Sequence, residues 1–139
     1  MNHKIKQFFF KSIALFFLFL SGSLIAQKVE QIEILEAEYL ESAQQRGQEA
    51  QKLVGNVKFK HKEALMYCDS AFYYAGANSI DAYGSVHINQ GDTTHLYGDE
   101  LNYFGNNGLA IISGEEVKLD GRQFTLTTNK LYFYRLENR

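Results

Sequence analysis

The chain has 139 residues, 14 Lys and Arg against 16 Asp and Glu, a single Cys and no Pro. That length accommodates one domain, and one Cys excludes an intrachain disulfide. The acidic balance excludes the basic field on which general nucleic-acid binding depends.

Lys4, Lys6 and Lys11 stand among and before an apolar run from Ile13 to Leu20. Ser21-Gly22-Ser23-Leu24-Ile25-Ala26 follows, with the small residues found at signal-peptidase sites. The uninterrupted apolar run falls well short of the roughly 18 residues that span a bilayer. Residues 1–26 therefore read as a cleaved secretory signal, with an uncleaved anchor as the alternative, and residues 27–139 as one β-domain. No Cys stands beside the cleavage site to carry a lipid. Without the three signal lysines, 11 basic groups face 16 acidic ones, a net charge of about −5.

Residues 28–41 mix Ile32, Ile34, Leu35, Ala37 and Leu40 with glutamates, and helix and strand compete on propensity. A strand is expected, because Leu35-Glu36-Ala37-Glu38 falls one period before Met66-Tyr67-Cys68-Asp69. The Gln-rich segment Ser42 to Lys52 reads as a loop or short helix. From Leu53 onward the period is two. Val57 and Phe59 alternate with Lys58 and Lys60; Ile80, Ala82, Gly84, Val86 and Ile88 share a face. Ala110, Ile112 and Gly114 then pass to Val117 and Leu119 with an additional residue that predicts a β-bulge. Asn89-Gln90-Gly91-Asp92 and Asp120-Gly121-Arg122 predict hairpin turns at one end, Asn78 and Gly105-Asn106-Asn107-Gly108 at the other.

Two signatures recur along this pattern. Gly55-Asn56-Val57, Gly84-Ser85-Val86 and Gly114-Glu115-Glu116-Val117 each open a strand; Met66-Tyr67-Cys68-Asp69, Leu96-Tyr97-Gly98-Asp99 and Leu126-Thr127-Thr128-Asn129 follow them. Thirty residues separate Asp69 from Asp99, and thirty separate Asp99 from Asn129. A fixed period of this size marks a stacked architecture. Inward alternation breaks phase at each Asp or Asn, as a strand does where it bends. The short side chain suits such a corner because it bonds nearby backbone N–H groups. Recurrence once per unit, with Asn in the last, favours that role over a metal or catalytic carboxylate. Each repeat is expected to supply two or three short strands to an all-β sandwich, jelly roll or β-helix-like stack.

Catalytic patterns are not found: there is no nucleophile elbow, phosphate-cradling loop, HExxH or CxxC. The expectation is a non-enzyme without cofactor or metal. His61, His87 and His95 lack ligand spacing, and His87 is expected on a solvated face. Lys58, Lys60, His61 and Lys62 form a basic stripe, read as a solvated or aggregation-blunting strand face rather than a phosphate site. Cys68 reads as a buried small hydrophobe. Phe72-Tyr73-Tyr74 and Tyr132-Phe133-Tyr134 put rings on both faces, and exposed rings hint at a partner or a sugar.

The motif carried by Gly55-Val57, Met66-Asp69-Tyr73, Gly84-Val86-Ile88, Asp99-Leu101-Tyr103, Gly114-Val117-Leu119 and Asn129-Leu131-Phe133 resembles the OstA family, from about Leu35 to Tyr134. That family includes the periplasmic lipopolysaccharide-transport protein LptA and the N-terminal domain of its outer-membrane partner LptD. Asn129 in place of the acid, the residue inserted before Val117, and Ala71 depart from its pattern. The resemblance implies an open β-jelly roll, V-shaped in section, whose apolar interior holds the acyl chains of lipopolysaccharide or a related lipid in the periplasm. It also implies joining to other Lpt-type jelly rolls, or head-to-tail to itself, by strand addition at the edges. The family motif marks no individual ligands. The candidate lipid-facing set is therefore the expected inward face: Val57, Phe59, Met66, Ala82, Val86, Ile88, Leu96, Leu101, Tyr103, Ile112, Val117, Leu119, Leu126, Leu131 and Phe133.

Two other readings stand beside transport: a docking domain that assembles Lpt-like chains without lipid, and a secreted carbohydrate-binding domain. The chain ends five residues after Tyr134, where another G-x-V strand falls due, so a short paralogue or a truncated piece of a longer protein is expected.

Overall fold

The structure, a computed structural model, describes residues 29–135. The expected signal at 1–26 lies outside them. Eight strands follow in order: β1 (Glu33–Glu36), β2 (Tyr39–Gln45), β3 (Gln48–His61), β4 (Ala64–Tyr74), β5 (Ser79–Gln90), β6 (Thr94–Phe104), β7 (Leu109–Asp120) and β8 (Thr125–Tyr134). All pair antiparallel in one sheet ordered β1-β3-β4-β5-β6-β7-β8. β2 shares the first edge with β1, pairing with the other half of β3.

The sheet is folded on itself. Phe59 on β3 pairs with Met66 on β4, and Tyr73 lies seven residues further along β4. A straight strand would separate those levels by roughly 23 Å. The Phe59 and Tyr73 rings are nevertheless only 6.4 Å apart. The fold line is a row of register shifts crossing the sheet: Val54/Val57, Tyr67/Ser70, Tyr83/Val86, Tyr97/Glu100 and Ser113/Val117. These are the corners predicted from the phase breaks, and together they make the open all-β jelly roll. Because a bulge bends a strand without ending its ladder, β3 to β8 run through the corner as single strands of 10–14 residues. Each repeat thus supplies two strands, within the expected number but longer than the short strands expected.

The segment Ser42 to Lys52 is also corrected. It forms the β2–β3 hairpin, with Gln45 opposite Gln48. The turn residues Arg46 and Gly47 both have positive φ (51° and 71°), as a two-residue type I′ turn requires. An Arg in that position carries none of the usual Asn-Gly signal. The strand expected over residues 28–41 is present but broken into β1 and β2 around Ala37-Glu38.

Candidate functional site

The two halves of the folded sheet enclose one apolar cluster running from Ile32 and Leu53 to Leu119. Twelve of the fifteen expected inward residues are buried there: Val57, Phe59, Met66, Ala82, Val86, Ile88, Leu96, Leu101, Tyr103, Ile112, Val117 and Leu119. Leu131 and Phe133 pack on the cluster half-buried. Leu126, directly opposite Leu119 and so on the same face, is 43% exposed. All three lie on β8, the last strand of the described sheet. The interior is thus packed shut along most of its length and loosens towards β8.

Polar residues also clasp the structure together, from Glu30 before β1 to Arg135 just after β8. His61, 1% exposed, sits with Nδ1 2.6 Å from the Tyr103 hydroxyl and 2.8 Å from Arg135 Nη1. Both are donors, so Nδ1 accepts and Nε2–H donates to the Glu30 carbonyl at 3.0 Å. Arg135 also donates to the Tyr103 hydroxyl at 2.8 Å. Burial holds the His61 imidazole below its ordinary pKa, and the Arg135 and Lys62 cations push the same way against the bond to Glu30. Asn78, also 1% exposed, accepts from Ile32 N–H at 2.8 Å and donates to the Glu30 carbonyl at 2.9 Å and to Asn106 at 3.1 Å. Tyr73 completes the strap by donating to the Ile32 carbonyl at 3.1 Å. His61 therefore does not belong to the exposed basic stripe in which the sequence reading placed it. Period-two alternation already sets it on the inward face of Val57 and Phe59, opposite Lys58, Lys60 and Lys62; its partners, from β6 and from beyond β8, could not be read locally.

The corners have a side-chain logic of their own. Glu38 lies over Gly55, Asp69 over Gly84 and Asp99 over Gly114; a methyl on any of those glycines would run into the carboxylate. Asp99 also accepts the Glu115 N–H at 3.1 Å, and Glu38 accepts from Asn56 Nδ2 at 2.6 Å. The two recurrent signatures are therefore halves of one contact between neighbouring strands. The sequence showed the two periods but not that they meet. Among the described residues, no three of His, Cys, Asp and Glu gather as a metal site. Cys68 is 5% exposed, and burial beside Asp69 pushes its thiol up to about 12, far from the range of a reactive thiolate.

The outer face differs from expectation at His87. Its ring is stacked between Tyr67 (5.4 Å) and Tyr97 (4.5 Å), and its Nε2 lies 3.0 Å from His95 Nδ1. Lys58 and Lys118 cover the two tyrosines at 5.4 and 5.9 Å. Burial, with His95 next to it, lowers the His87 pKa, so this is a half-buried ladder rather than a solvated face. The ring faces are taken up by one another. A separate cleft of about 510 Å³ beside the β2–β3 hairpin is lined by Ser42, Gln44, Glu49 and Gln51 together with Ala43, Ala50, Tyr73 and Ala75. It is more polar than the enclosed interior and does not join the expected inward row.

A single bent antiparallel sheet closed over an apolar interior, with acid-on-glycine corners, defines a jelly-roll domain of the kind that the repeat predicts. The OstA-like protein family model matches residues 29–139, and the chain belongs to that family. No curated protein matches the sequence.

Proposed function

We propose that this protein is a non-catalytic, periplasmic component of lipid transport to the outer membrane. It shelters the acyl chains of lipopolysaccharide or a related lipid between the halves of its sheet, and it joins other Lpt-type jelly rolls through its edge strands. The observation that carries the reading is the OstA-like family membership over residues 29–139. The apolar interior that loosens at Leu126, Leu131 and Phe133 supports it. Each acyl methylene left in water costs about 0.8 kcal/mol, so moving a lipid between membranes requires a continuous apolar lining. In the closed conformation the lining residues touch one another. Lipid is therefore admitted by parting the halves along β8, where Leu126, Leu131 and Phe133 are least covered.

Native mass spectrometry of the protein purified from cells with an outer membrane tests this. Co-purified acylated lipid, lost when Leu131 and Phe133 are both changed to Asp in a variant that keeps its fold, is expected. A lipid-free protein that still binds other jelly-roll chains would favour the docking reading instead.

A further inference from the structure

The corner contact has a direction. Asp69 on β4 and Asp99 on β6 each cover a glycine on the next strand towards β8, Gly84 on β5 and Gly114 on β7, and Glu38, at the break between β1 and β2, covers Gly55 on β3. Corner strands and glycine strands therefore alternate across the sheet. β8 continues the series as a corner strand, with Asn129 level with the Gly114–Glu116 bulge behind it. No described strand lies beyond it.

We propose that the β8 edge selects an antiparallel partner strand that carries a glycine opposite Asn129, followed two residues later by an inward apolar residue, as in the G-x-V strands. This rests on the strand-addition reading above and names the chemistry of the strand. A Cβ on Gly84 would meet the Asp69 carboxylate, and by the same geometry a Cβ opposite Asn129 would meet its amide. Gly55 and Gly84 have φ of 85° and 80°, a backbone that side-chain-bearing residues resist. Flanking the site, β8 turns Tyr132 and Tyr134 outward (58% and 59% exposed) and leaves Leu126 half uncovered. The partner strand brings apolar cover for that residue on the inner side.

The same rule disfavours the head-to-tail self-association expected from sequence. The described sheet has seven strand positions joined by six antiparallel ladders, so its first and last strands run the same way. Stacking a second copy in the same sense sets β8 parallel to β1–β2, with Asn129 against Glu38 and no glycine between them. Pairing two β8 edges about a two-fold axis is antiparallel but again brings no glycine. The fitting occupant is a G-x-V glycine strand of another jelly-roll unit, not the edge of a second copy.

The test uses a fluorescein-labelled peptide copying Gln48–His61, the strand that natively follows a corner strand, and its Gly55→Ala form. Binding to the purified protein is read by anisotropy, and the site by photo-crosslinking from p-benzoylphenylalanine at Tyr132. The glycine peptide is expected to bind and crosslink to β8, the alanine peptide to bind at least tenfold more weakly, and Asn129→Ala to narrow that ratio. Equal binding of both peptides, or a ratio unchanged by Asn129→Ala, overturns the glycine rule while strand addition stands. Failure of both peptides to bind overturns strand addition at this edge and the rule with it. Filaments of the protein alone in sedimentation also overturn the rule.

Discussion

The Asp69 carboxylate covers Gly84 on the neighbouring strand so closely that the glycine has no room for a methyl group. Gly84 also holds φ at 80°. Gly84→Ala therefore suffers twice, about 1–2 kcal/mol from the left-handed backbone and about 1–3 kcal/mol from overpacking. Gly91 has φ of 68° and nothing within 4 Å of where its Cβ would stand, so Gly91→Ala loses only the first part. Urea denaturation should rank the two variants in that order, with Asp69→Ala recovering part of the Gly84→Ala loss. Equal losses at both glycines would show that the carboxylate contact contributes nothing.

The strap that holds Glu30 and Ile32 to the sheet depends on Asn78. Its side chain answers the Ile32 N–H and the Glu30 carbonyl from inside a buried site. Asn78→Ala leaves the buried Ile32 N–H without its partner, at about 1–3 kcal/mol, while the Glu30 carbonyl keeps its bond from His61. Hydrogen exchange at the Ile32 amide should accelerate by more than the global loss of stability explains. Acceleration no greater than that global loss would mean the strap is held by Tyr73 and packing alone.

Acid should loosen the clasp. His61 and His87 both have folded-state pKa values lowered chiefly by burial. The unfolded state thus takes up protons first as pH falls, and stability rises with pH across that interval. The contribution is whole above the unfolded value of about 6.5 and is lost as pH falls through the folded values. Around His61 stand Tyr103 from β6, Arg135 beyond β8, Lys62 at the β3–β4 turn and the Glu30 carbonyl; around His87 stand Tyr67, Tyr97 and His95. The urea midpoint should drop between pH 7.5 and pH 5.5, and the drop should shrink in a His61→Gln, His87→Gln double variant. The same drop in that variant would place the titration elsewhere.

Local periodicity made most of the sheet readable. Strict alternation at Val57-Phe59 and Ile80-Val86-Ile88, punctuated by Asn89 to Asp92 and Gly105 to Gly108, fixes which residues face inward and where chains turn. The phase breaks at Asp69 and Asp99 located the fold line. What eluded the sequence depends on contacts between strands far apart in the chain. Alternation with Lys58, Lys60 and Lys62 sets His61 on the inward face of Val57 and Phe59, but its partners Tyr103 and Arg135, 42 and 74 residues away, could not be read from the strand. Leu126 follows the inward pattern as well as Leu96 does, but it stands at the rim while Leu96 is central, and alternation cannot tell rim from centre. The β2–β3 turn escaped because Arg46-Gly47 achieves by context what Asn-Gly achieves by propensity.

The most direct test of lipid shelter lies on β8, where neighbouring residues face opposite ways. Phe133 packs half-buried against the interior cluster, whereas Tyr132 points out at 58% exposure. With p-benzoylphenylalanine placed singly at 131, 132 and 133 in cells, irradiation should yield lipopolysaccharide adducts from 131 and 133 and none from 132. Adducts from 132 alone, or equal labelling at all three, would contradict an interior that carries the lipid.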